Sequence, residues 1–367
     1  MTTQPPLVHL DAALWGLVAH ALRLSLRNPG LAWYLLRARG YLRRAQRRRE
    51  LAAADGLHVP PIVIASITRR CNLHCAGCYA FAQHGERAPE PELSPDQLWD
   101  VARQARDLGV SVFLVSGGEP FLRPEILEIA AAMPEMLFPV FTNGYLIDDA
   151  LVARLRTIRN LVPILSLEGA PADTDARRGP GTHDRVLATM RALTRAGVLC
   201  GTSLTLTRRN FGLVTAPTYA RDLVRQGCRL FILVDFVAAE PGTDDLTLMP
   251  SQKAAQPDLL AELRRRIPAL FVALPGDPSV FQGCLAAGRG FVHISPEGRV
   301  EPCPFAPISA HGLKDTALRD ALASGFLRSI RESGVLQRPY QGSCSLWRHR
   351  AWVRALVADS TTPPPPE

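Results

Sequence analysis

Between residues 60 and 270, apolar runs alternate with amphipathic segments at regular intervals. The apolar runs, rich in Val, Ile, Leu and Phe, predict strands at 62–67, 110–116, 137–142, 161–168, 199–207 and 229–237. Because these runs are almost continuously apolar, we expect strands that are buried on both faces, as in a parallel sheet. The intervening segments predict helices near 95–108, 124–133, 148–158, 183–196, 211–226 and 252–266. Six strand–helix repeats predict an α/β fold with a barrel-like parallel sheet.

The helix predicted at 95–108 has the clearest boundaries. Ser94 is suited to the N-cap, Pro95 to the first helical position and Gln97 to the closing position of a capping box. Gly109 provides a stop, because glycine adopts the left-handed conformation that often follows a helix. Both ends of this helix are therefore encoded locally.

Two regions and a tail flank the alternating core, which we assign to residues 59–270. Residues 1–58 predict two helices separated at the turn sequence of residues 28–30, Asn-Pro-Gly. Residues 271–357 contain a predicted hairpin, in which 290–295 and 299–305 pair across a Pro-Glu-Gly turn. The Pro-rich end, 358–367, predicts a disordered tail.

Charge and apolar content limit the classes of protein that fit. The chain of 367 residues is 47% apolar, enough for one barrel-sized core, and contains no uncharged apolar run of membrane-spanning length. Its net charge of +8 is concentrated before residue 59, where nine arginines face three carboxylates. Eight cysteines in a chain of this length do not indicate a disulfide framework, so we expect a cytoplasmic protein.

The basic N-terminal region leaves two interpretations open. Apolar residues recur at near-helical spacing through 7–49, beside the arginines. In one interpretation, the two helices form a basic amphipathic pair that binds peripherally to the cytoplasmic face of the membrane. In the other, the apolar stripe packs on the barrel and the arginines stay in water. The apolar positions are Leu7, Leu10, Leu14, Leu17, Val18, Leu22, Leu26, Leu31, Tyr34, Leu35 and Leu42.

Three cysteines follow the first predicted strand, in the sequence Cys71-Asn-Leu-His-Cys75-Ala-Gly-Cys78. Iron–sulfur clusters are usually held by four thiolates, so a cluster held by three keeps one iron open to another ligand. Zinc is an alternative, because His74 could complete a closed Cys3His site. The zinc interpretation is weakened by the lack of a second, distant ligand pair of the usual kind.

The second predicted strand ends in Ser116-Gly117-Gly118-Glu119-Pro120. Adjacent glycines at a strand end let the backbone approach a ligand closely. Together, the Cys-x3-Cys-x2-Cys spacing and this segment resemble the radical S-adenosylmethionine (SAM) superfamily. The resemblance implies a partial (β/α)6 TIM-like barrel and a [4Fe–4S] cluster on the three cysteines. It also implies that Gly117, Gly118, Glu119 and Pro120 contact the amino group of SAM.

Further candidate residues stand at the carboxyl ends of the strands, where barrels of this type bind ligands. The family resemblance extends to the segments 141–145 and 165–169, and implies that Ser166 holds the SAM carboxylate together with Arg178 or Arg177. Glu168 stands where the family usually has Asp. Asp235 is our candidate acid or base. The expected cofactor-binding residues at these strand ends are Asn143, Ser166, Glu168, Arg178 and Thr205.

Three more cysteines surround the predicted C-terminal hairpin. Cys284 precedes it, Cys303 lies at its end, and Cys344 follows forty residues later. The arrangement resembles the SPASM or twitch extension of the family, which implies an auxiliary iron–sulfur cluster, with His311 as a candidate further ligand. The alternative is three structural thiols. Cys200 and Cys228 lie in apolar surroundings and are predicted to be core residues.

The family resemblance implies an enzyme that reductively cleaves SAM to a 5′-deoxyadenosyl radical, which abstracts hydrogen from a substrate. The sequence does not distinguish a peptide, a lipid and a small metabolite, and an external donor such as flavodoxin or ferredoxin is expected. A competing interpretation is a non-catalytic iron–sulfur electron carrier or a nucleic-acid-associated protein that uses residues 37–49. We do not favour this competing interpretation, and do not expect nucleic-acid binding. A simple iron–sulfur carrier needs neither six strand–helix units nor the Gly-Gly-Glu-Pro segment.

Overall fold

A computed structural model describes residues 15–16, 18–19, 22, 29–78, 80, 90–239, 242–274, 283–338 and 344–365. Within these residues the strands form one sheet in the order β10-β9-β8-β1-β2-β3-β4-β5-β6-β7. The strands are β1 (Ile62–Ser66), β2 (Val112–Ser116), β3 (Phe138–Thr142), β4 (Leu161–Leu167), β5 (Gly201–Leu206), β6 (Leu230–Asp235), β7 (Leu270–Leu274), β8 (Phe291–Ile294), β9 (Arg299–Glu301) and β10 (His311–Gly312).

The six predicted strands are present as β1 to β6, and each pairs in parallel with the next. The prediction of an α/β fold with a parallel sheet is confirmed. The sequence missed β7, which pairs in parallel with β6. Its five residues, Leu270–Leu274, form a short apolar run between Pro268 and Pro275, which can be read as a strand or as a buried helical segment.

Helices connect most of the parallel strands, and others precede β1 or follow β10. They are α1 (Pro29–Ala54), α2 (Pro95–Leu108), α3 (Glu125–Ala132), α4 (Asp149–Leu155), α5 (Pro171–Arg178), α6 (Thr182–Arg195), α7 (Phe211–Val214), α8 (Pro217–Gln226), α9 (Pro250–Arg266), α10 (Leu318–Ala323), α11 (Gly325–Glu332), α12 (Ser345–Arg348) and α13 (Arg350–Ala358). Helix α2 has the predicted bounds, capping box and glycine stop. The helix predicted at 211–226 is divided, because Pro217 disfavours helical geometry in the residue before it.

The C-terminal hairpin extends the main sheet. Strands β8 and β9 pair antiparallel, as predicted, and β8 also pairs in parallel with β1. The sequence predicted the hairpin but not its position, because a turn encodes only the pairing of its own two strands. The hairpin therefore adjoins the strand that leads into the first cysteine motif.

The two faces of the sheet differ in what they contact. One face, called the outer face here, packs on helices and carries Phe113, Val115 and Val140. The other, called the inner face, carries the alternate residues. Register places Ser66 opposite Ser116, Phe141 opposite Ile164, and Ser166 opposite Ser203 on this inner face. Polar candidates for a site therefore share one face with a small apolar cluster of Val162, Ile164 and Ile232.

Helix α1 packs against α2 through both apolar and arginine side chains. Ala52 is buried in the cluster that contains α2, whereas Leu31 and Leu35 are buried against Leu199 and Leu270 at the sheet. Arg49 is only 5% exposed. Arg49 donates to the carbonyl oxygen of Gly109 and, over 3.0 Å, to Ser111 Oγ. The predicted second N-terminal helix is thus present, whereas most of the predicted first helix lies outside the described residues. No described helix has the length and apolar character needed to cross a membrane.

The end of the chain was predicted to be disordered from residue 358. Its described part, 358–365, makes contacts with the preceding helical region. Trp352 Nε1 donates to the carbonyl oxygen of Thr362 over 3.3 Å, and Arg338 donates to that of Pro365 over 2.7 Å.

Candidate functional site

The first three cysteines lie on the loop that follows β1. Cys71 is exposed, and Cys75 and Cys78 are partly buried. Burial raises the pKa of the Cys71 and Cys75 thiols; for Cys75 the nearby Arg178 guanidinium acts in the opposite direction. Because a cluster binds thiolates, loading this site must displace protons from these groups.

Arg177 on α5 holds the cysteine loop in place. The amide of Ala76 donates to the Arg177 carbonyl over 2.9 Å. In return, the guanidinium donates to the carbonyls of Ala76 and Gly77 over 3.1 and 3.3 Å. Its third nitrogen pairs with Glu168 over 2.7 Å. The loop between Cys75 and Cys78 is therefore anchored to α5 by both the backbone and the side chain of Arg177.

The same Glu168 also accepts two hydrogen bonds from Arg178, over 2.9 and 2.6 Å. Glu168 is almost fully buried, and the two arginines supply the compensation that a buried carboxylate needs. Arg178 thus already has a carboxylate partner within the protein. Its predicted contact with the carboxylate of SAM stays a prediction, in which the guanidinium would share its donors between two carboxylates.

Gly117 and Gly118 hold the end of β2 against the cysteine loop. A Cβ atom on Gly117, which has φ of 121°, would lie 2.4 Å from the Thr68 carbonyl oxygen. On Gly118 it would lie 2.1 Å from that of Arg70. The amides of Gly118 and Glu119 donate to these same two carbonyls over 2.7 and 2.8 Å. Only glycine permits this approach, which packs the end of β2 against residues 68–70, directly before Cys71.

The carboxylate of Glu119 is buried and hydrogen-bonded to other groups of the protein. Its side chain has no exposure to solvent. The carboxylate accepts from Thr142 Oγ1 over 2.8 Å, from the Asn143 amide over 2.9 Å and from the Phe121 amide over 3.2 Å. Burial raises the pKa of this carboxyl group above its ordinary value. The expected contact of Glu119 with the amino group of SAM is therefore limited to its backbone. Pro120, which follows, is buried at the start of a single helical turn, Pro120–Leu122.

Asn143 contacts the cysteine loop directly. Its Nδ2 lies 2.7 Å from Asn72 Oδ1 and 3.9 Å from Cys71 Sγ. Its Oδ1 accepts from the Tyr145 amide over 2.9 Å. Three segments that the sequence marked separately, the cysteine loop, the Gly-Gly-Glu-Pro segment and the end of β3, are therefore joined by hydrogen bonds.

Ser166 and Thr205 lie on the inner face, but Asp235 does not. Asp235 is the register partner of Leu206 and shares the outer face with Leu233. Its carboxylate pairs with Lys253 and accepts from Gln256 Nε2 over 3.0 Å, both on α9. The role of Asp235 as an acid or base stays a prediction, in which its carboxylate would have to act while paired with Lys253. The apolar run 229–237 shows no alternation, so the sequence could not indicate which face each residue occupies.

The inner face carries a buried polar chain that sequence reasoning missed. His293 Nδ1 lies 2.7 Å from Glu301 Oε2, and its Nε2 lies 2.8 Å from Ser66 Oγ. Ser66 Oγ lies in turn 3.2 Å from Ser116 Oγ, beside Gly117. The only signals in the sequence were a histidine within an apolar strand and a serine at the end of each of β1 and β2.

The three C-terminal cysteines come together beside the hairpin. Cys303 is buried, and Cys284 and Cys344 are partly buried. Burial, together with the nearby Cys344 thiol, raises the pKa of Cys284 to about 12. Burial also places the pKa of Cys303 well above its usual range, with Cys344 and Cys284 adding to the effect. Each of the three thiols is therefore close enough to another for the charge of one to affect the pKa of the other.

These donor sets suit a cluster by their chemistry, since each supplies three thiols and iron–sulfur clusters are held by thiolates. Among the described residues, no three His, Cys, Asp or Glu side chains stand close enough together to hold a single metal ion. A four-iron cluster is wider than an ion, so its thiolates stand farther apart. His311 lies in β10, where its amide donates to Ser309 Oγ over 3.2 Å, and its role as a ligand stays a prediction. Cys200 and Cys228 are buried, as predicted.

Comparison with known proteins gives consistent results. The family model described as the Radical SAM superfamily matches residues 65–210. Mycofactocin maturase MftC of Mycobacterium tuberculosis is 30% identical over 317 residues, which cover 80% of this chain and 77% of that protein. The AdoMet-dependent heme synthase of Methanosarcina barkeri is 25% identical over 321 residues, covering 80% and 90%.

Among solved structures, Streptococcus suis SuiB bound to S-adenosylmethionine has a similar fold. The TM-score is 0.64 at 16% identity, and the match covers 86% of this chain and 79% of SuiB. The native anSMEcpe structure with bound AdoMet gives a TM-score of 0.55 at 14% identity, covering 81% and 96%. At these identities the two structures show a shared fold.

Proposed function

This chain belongs to the radical SAM superfamily, and from that premise we propose that Cys71, Cys75 and Cys78 hold its [4Fe–4S] cluster. The observation that carries the assignment is the contact of Gly117 and Gly118 with Thr68 and Arg70, which lead directly into Cys71. The chain is a radical SAM enzyme with a SPASM-type extension. The competing interpretation as a non-catalytic carrier is therefore not favoured.

The bound cluster supplies the electron that cleaves SAM to methionine and a 5′-deoxyadenosyl radical, which takes hydrogen from the substrate. The protein's part is to bind, orient and exclude water. We assign the amino group of SAM to backbone at Gly117 and Gly118. We assign its carboxylate to Ser166, with Arg178 as a second donor. Ser166 suits this role because it lies on the inner face, with 9% of its surface exposed.

An assay for 5′-deoxyadenosine tests the first assignment. The full chain, reconstituted with iron and sulfide without oxygen and then reduced, is expected to form 5′-deoxyadenosine from SAM. Replacement of Cys71, Cys75 and Cys78 by Ala is expected to abolish it. Cys200→Ala serves as the control, because that buried thiol belongs to neither cysteine set. Product formation by the triple variant would refute the assignment.

For the auxiliary cluster, we assign Cys284, Cys303 and Cys344 as ligands. The mutual effects of these thiols on one another's pKa support this grouping. Two four-iron clusters predict about eight irons per chain, and about four after Cys303→Ala or after the triple replacement in the first loop. If Cys303→Ala leaves the iron content unchanged, these three cysteines are structural thiols and do not bind a cluster.

The substrate is proposed to bind on the inner face, between the two cysteine sets. Relatives include a heme synthase and a peptide maturase, so both tetrapyrroles and peptides merit trial as substrates. The described residues ahead of β1 contain a long helix and no strand. A reductant such as flavodoxin or ferredoxin in the cytoplasm would supply the electrons.

Helix α1 supports a proposal of peripheral membrane binding. Trp33 and Leu36 are 63% and 48% exposed, and arginines stand along the same side. An aromatic side chain beside cationic ones suits an anionic lipid surface. Full-length protein is expected to float with vesicles of phosphatidylglycerol and phosphatidylcholine, and not with phosphatidylcholine alone.

A paired substitution tests this surface. The double variant Trp33→Ser, Leu36→Ser should lose flotation, whereas the control Trp99→Ser, which changes an exposed tryptophan on α2, should retain it. Equal flotation of the three proteins would refute the proposal. Binding to neutral vesicles would show that charge has no part in it.

A further inference from the structure

The side-chain amide of Asn143 has a fixed orientation toward the first cysteine. An asparagine offers one oxygen acceptor and two N–H donors. The Tyr145 amide donates to Oδ1, so the nitrogen must occupy the opposite position, where it meets Asn72 Oδ1 and Cys71 Sγ. One N–H of the amide is thus used by Asn72, and the other is available to the sulfur.

We propose that Asn143 donates this second N–H to the Cys71 thiolate and thereby raises the reduction potential of the SAM-binding cluster. The inference rests on the proposed function, in which Cys71 is a ligand. Reduction adds negative charge that spreads onto the sulfurs. A donor aimed at a sulfur stabilises the reduced state more than the oxidised state, and such hydrogen bonds help to set cluster potentials.

Glu119 acts on the cluster through Asn143 and is a positioning residue. Its fully buried carboxylate accepts from the Asn143 backbone amide and from Thr142 Oγ1, which fixes the backbone at the end of β3. The Thr142 hydroxyl oxygen in turn accepts from the Gly144 amide over 3.0 Å. Asn143 is therefore held at its backbone by Glu119 and at its side chain by Tyr145, so its amide reaches Cys71 without freedom to turn away.

Cys71 also accepts from the Leu73 amide over 3.4 Å. That donor belongs to the cysteine loop itself and would remain after any change at Asn143. Substitution of Asn143 should therefore shift the potential without removing all donors to this sulfur. The cluster should stay bound, because the three thiolates are untouched.

A redox titration followed by electron paramagnetic resonance tests the inference on the reconstituted full chain. The signal to follow is that of the reduced cluster that changes when SAM is added, which separates it from an auxiliary cluster. At a fixed solution potential, Asn143→Ala is expected to lower the ratio of reduced to oxidised cluster about tenfold. This corresponds to a fall of about 59 mV in the reduction potential of a one-electron couple. Asn143→Asp keeps an acceptor for Tyr145, removes the N–H and adds negative charge, so its potential should fall at least as far.

Asn72→Ala is the matched control, because it removes the partner of the other N–H of the same amide. Its potential should equal that of the wild type. A wild-type potential in both Asn143 variants would overturn the inference, as would an equal shift in Asn72→Ala. If Asn143→Ala fails to hold iron, the Asn143→Asp titration decides. A wild-type signal that does not respond to SAM would overturn the proposed function as well, so the two failures are distinguishable.

Discussion

Ser66 and His293 lie 227 positions apart in the chain, yet His293 Nε2 stands 2.8 Å from Ser66 Oγ in the interior of the protein. Both residues are less than a tenth exposed, and Glu301 supports the imidazole from the other side over 2.7 Å. This contact joins the C-terminal hairpin, which leads to Cys303, to the strand that leads to Cys71. The segments that lead to the two cysteine sets are therefore linked by a buried hydrogen bond as well as by the pairing of β8 with β1.

Replacement of His293 by Ala is expected to destabilise the protein. The change removes partners from Ser66 and from the buried Glu301 carboxylate, and loss of a hydrogen-bond partner at a buried polar group costs about 1–3 kcal/mol. Urea unfolding of the iron-free protein measures the effect. Asp184→Ala is the control, because the Asp184 side chain is 94% exposed and its contact with His183 over 3.4 Å lies at the surface, so stability should change little. Equal effects of the two variants would contradict the prediction.

Replacement of Arg177 by Ala is expected to loosen the cysteine loop. The guanidinium holds the carbonyls of Ala76 and Gly77, between two of the proposed ligands. Iron should therefore be lost faster to a chelator, with the initial iron content unchanged. Arg191→Ala removes an arginine that pairs with Gln226 at the surface and should behave as the wild type. Wild-type retention of iron by Arg177→Ala would show that the thiolates alone hold the loop.

Replacement of Ser166 by Ala should weaken SAM binding and leave iron content intact. Loss of a hydrogen bond to a carboxylate costs on the order of 1.5–3 kcal/mol, roughly ten- to hundredfold in affinity. Equilibrium binding to the reconstituted protein measures it. Ser203→Ala is the control, because Ser203 is the register partner of Ser166 on the same face. Matching affinities in the two variants would move the carboxylate contact elsewhere, with Arg178 and Arg177 the next residues to test.

The iron-free protein is expected to lose stability as the pH rises above about 9. Burial raises the pKa of Cys284 to about 12 from 9.0, and holds that of Cys303 high as well. Above the unfolded pKa, the unfolded chain releases these protons while the folded protein keeps them, so the free energy of unfolding falls. Urea unfolding at pH values on either side of 9 checks this. In the cluster-loaded protein the thiolates are bound to iron, so the decline should be smaller.

Local patterns predicted the parallel strands β1 to β6 and the helix α2 with both of its ends. They could not place Asp235, because a strand that is apolar on both faces gives no alternation to assign its side chains. They identified Glu119 and Arg178 as residues of interest but not their partners. The bond between Glu119 and Asn143 depends on how β2 and β3 align, and the bonds from Arg178 to Glu168 depend on how α5 folds back on the end of β4. The contact between β8 and β1 was likewise beyond a local pattern, because neither segment carries a signal for the other.

The pairing of β8 with β1 also sets an order of assembly. During synthesis each strand from β2 to β7 can add to the edge of the strand made before it, as soon as it leaves the ribosome. The opposite edge of β1 pairs with β8, which lies in the last third of the chain and is synthesised late. Contacts so distant in sequence form late in folding. The loop of Cys71, Cys75 and Cys78 is thus complete long before Cys303 and Cys344 exist. The protein acquires its two cysteine sites in sequence, and docking of the hairpin is the step that completes the sheet.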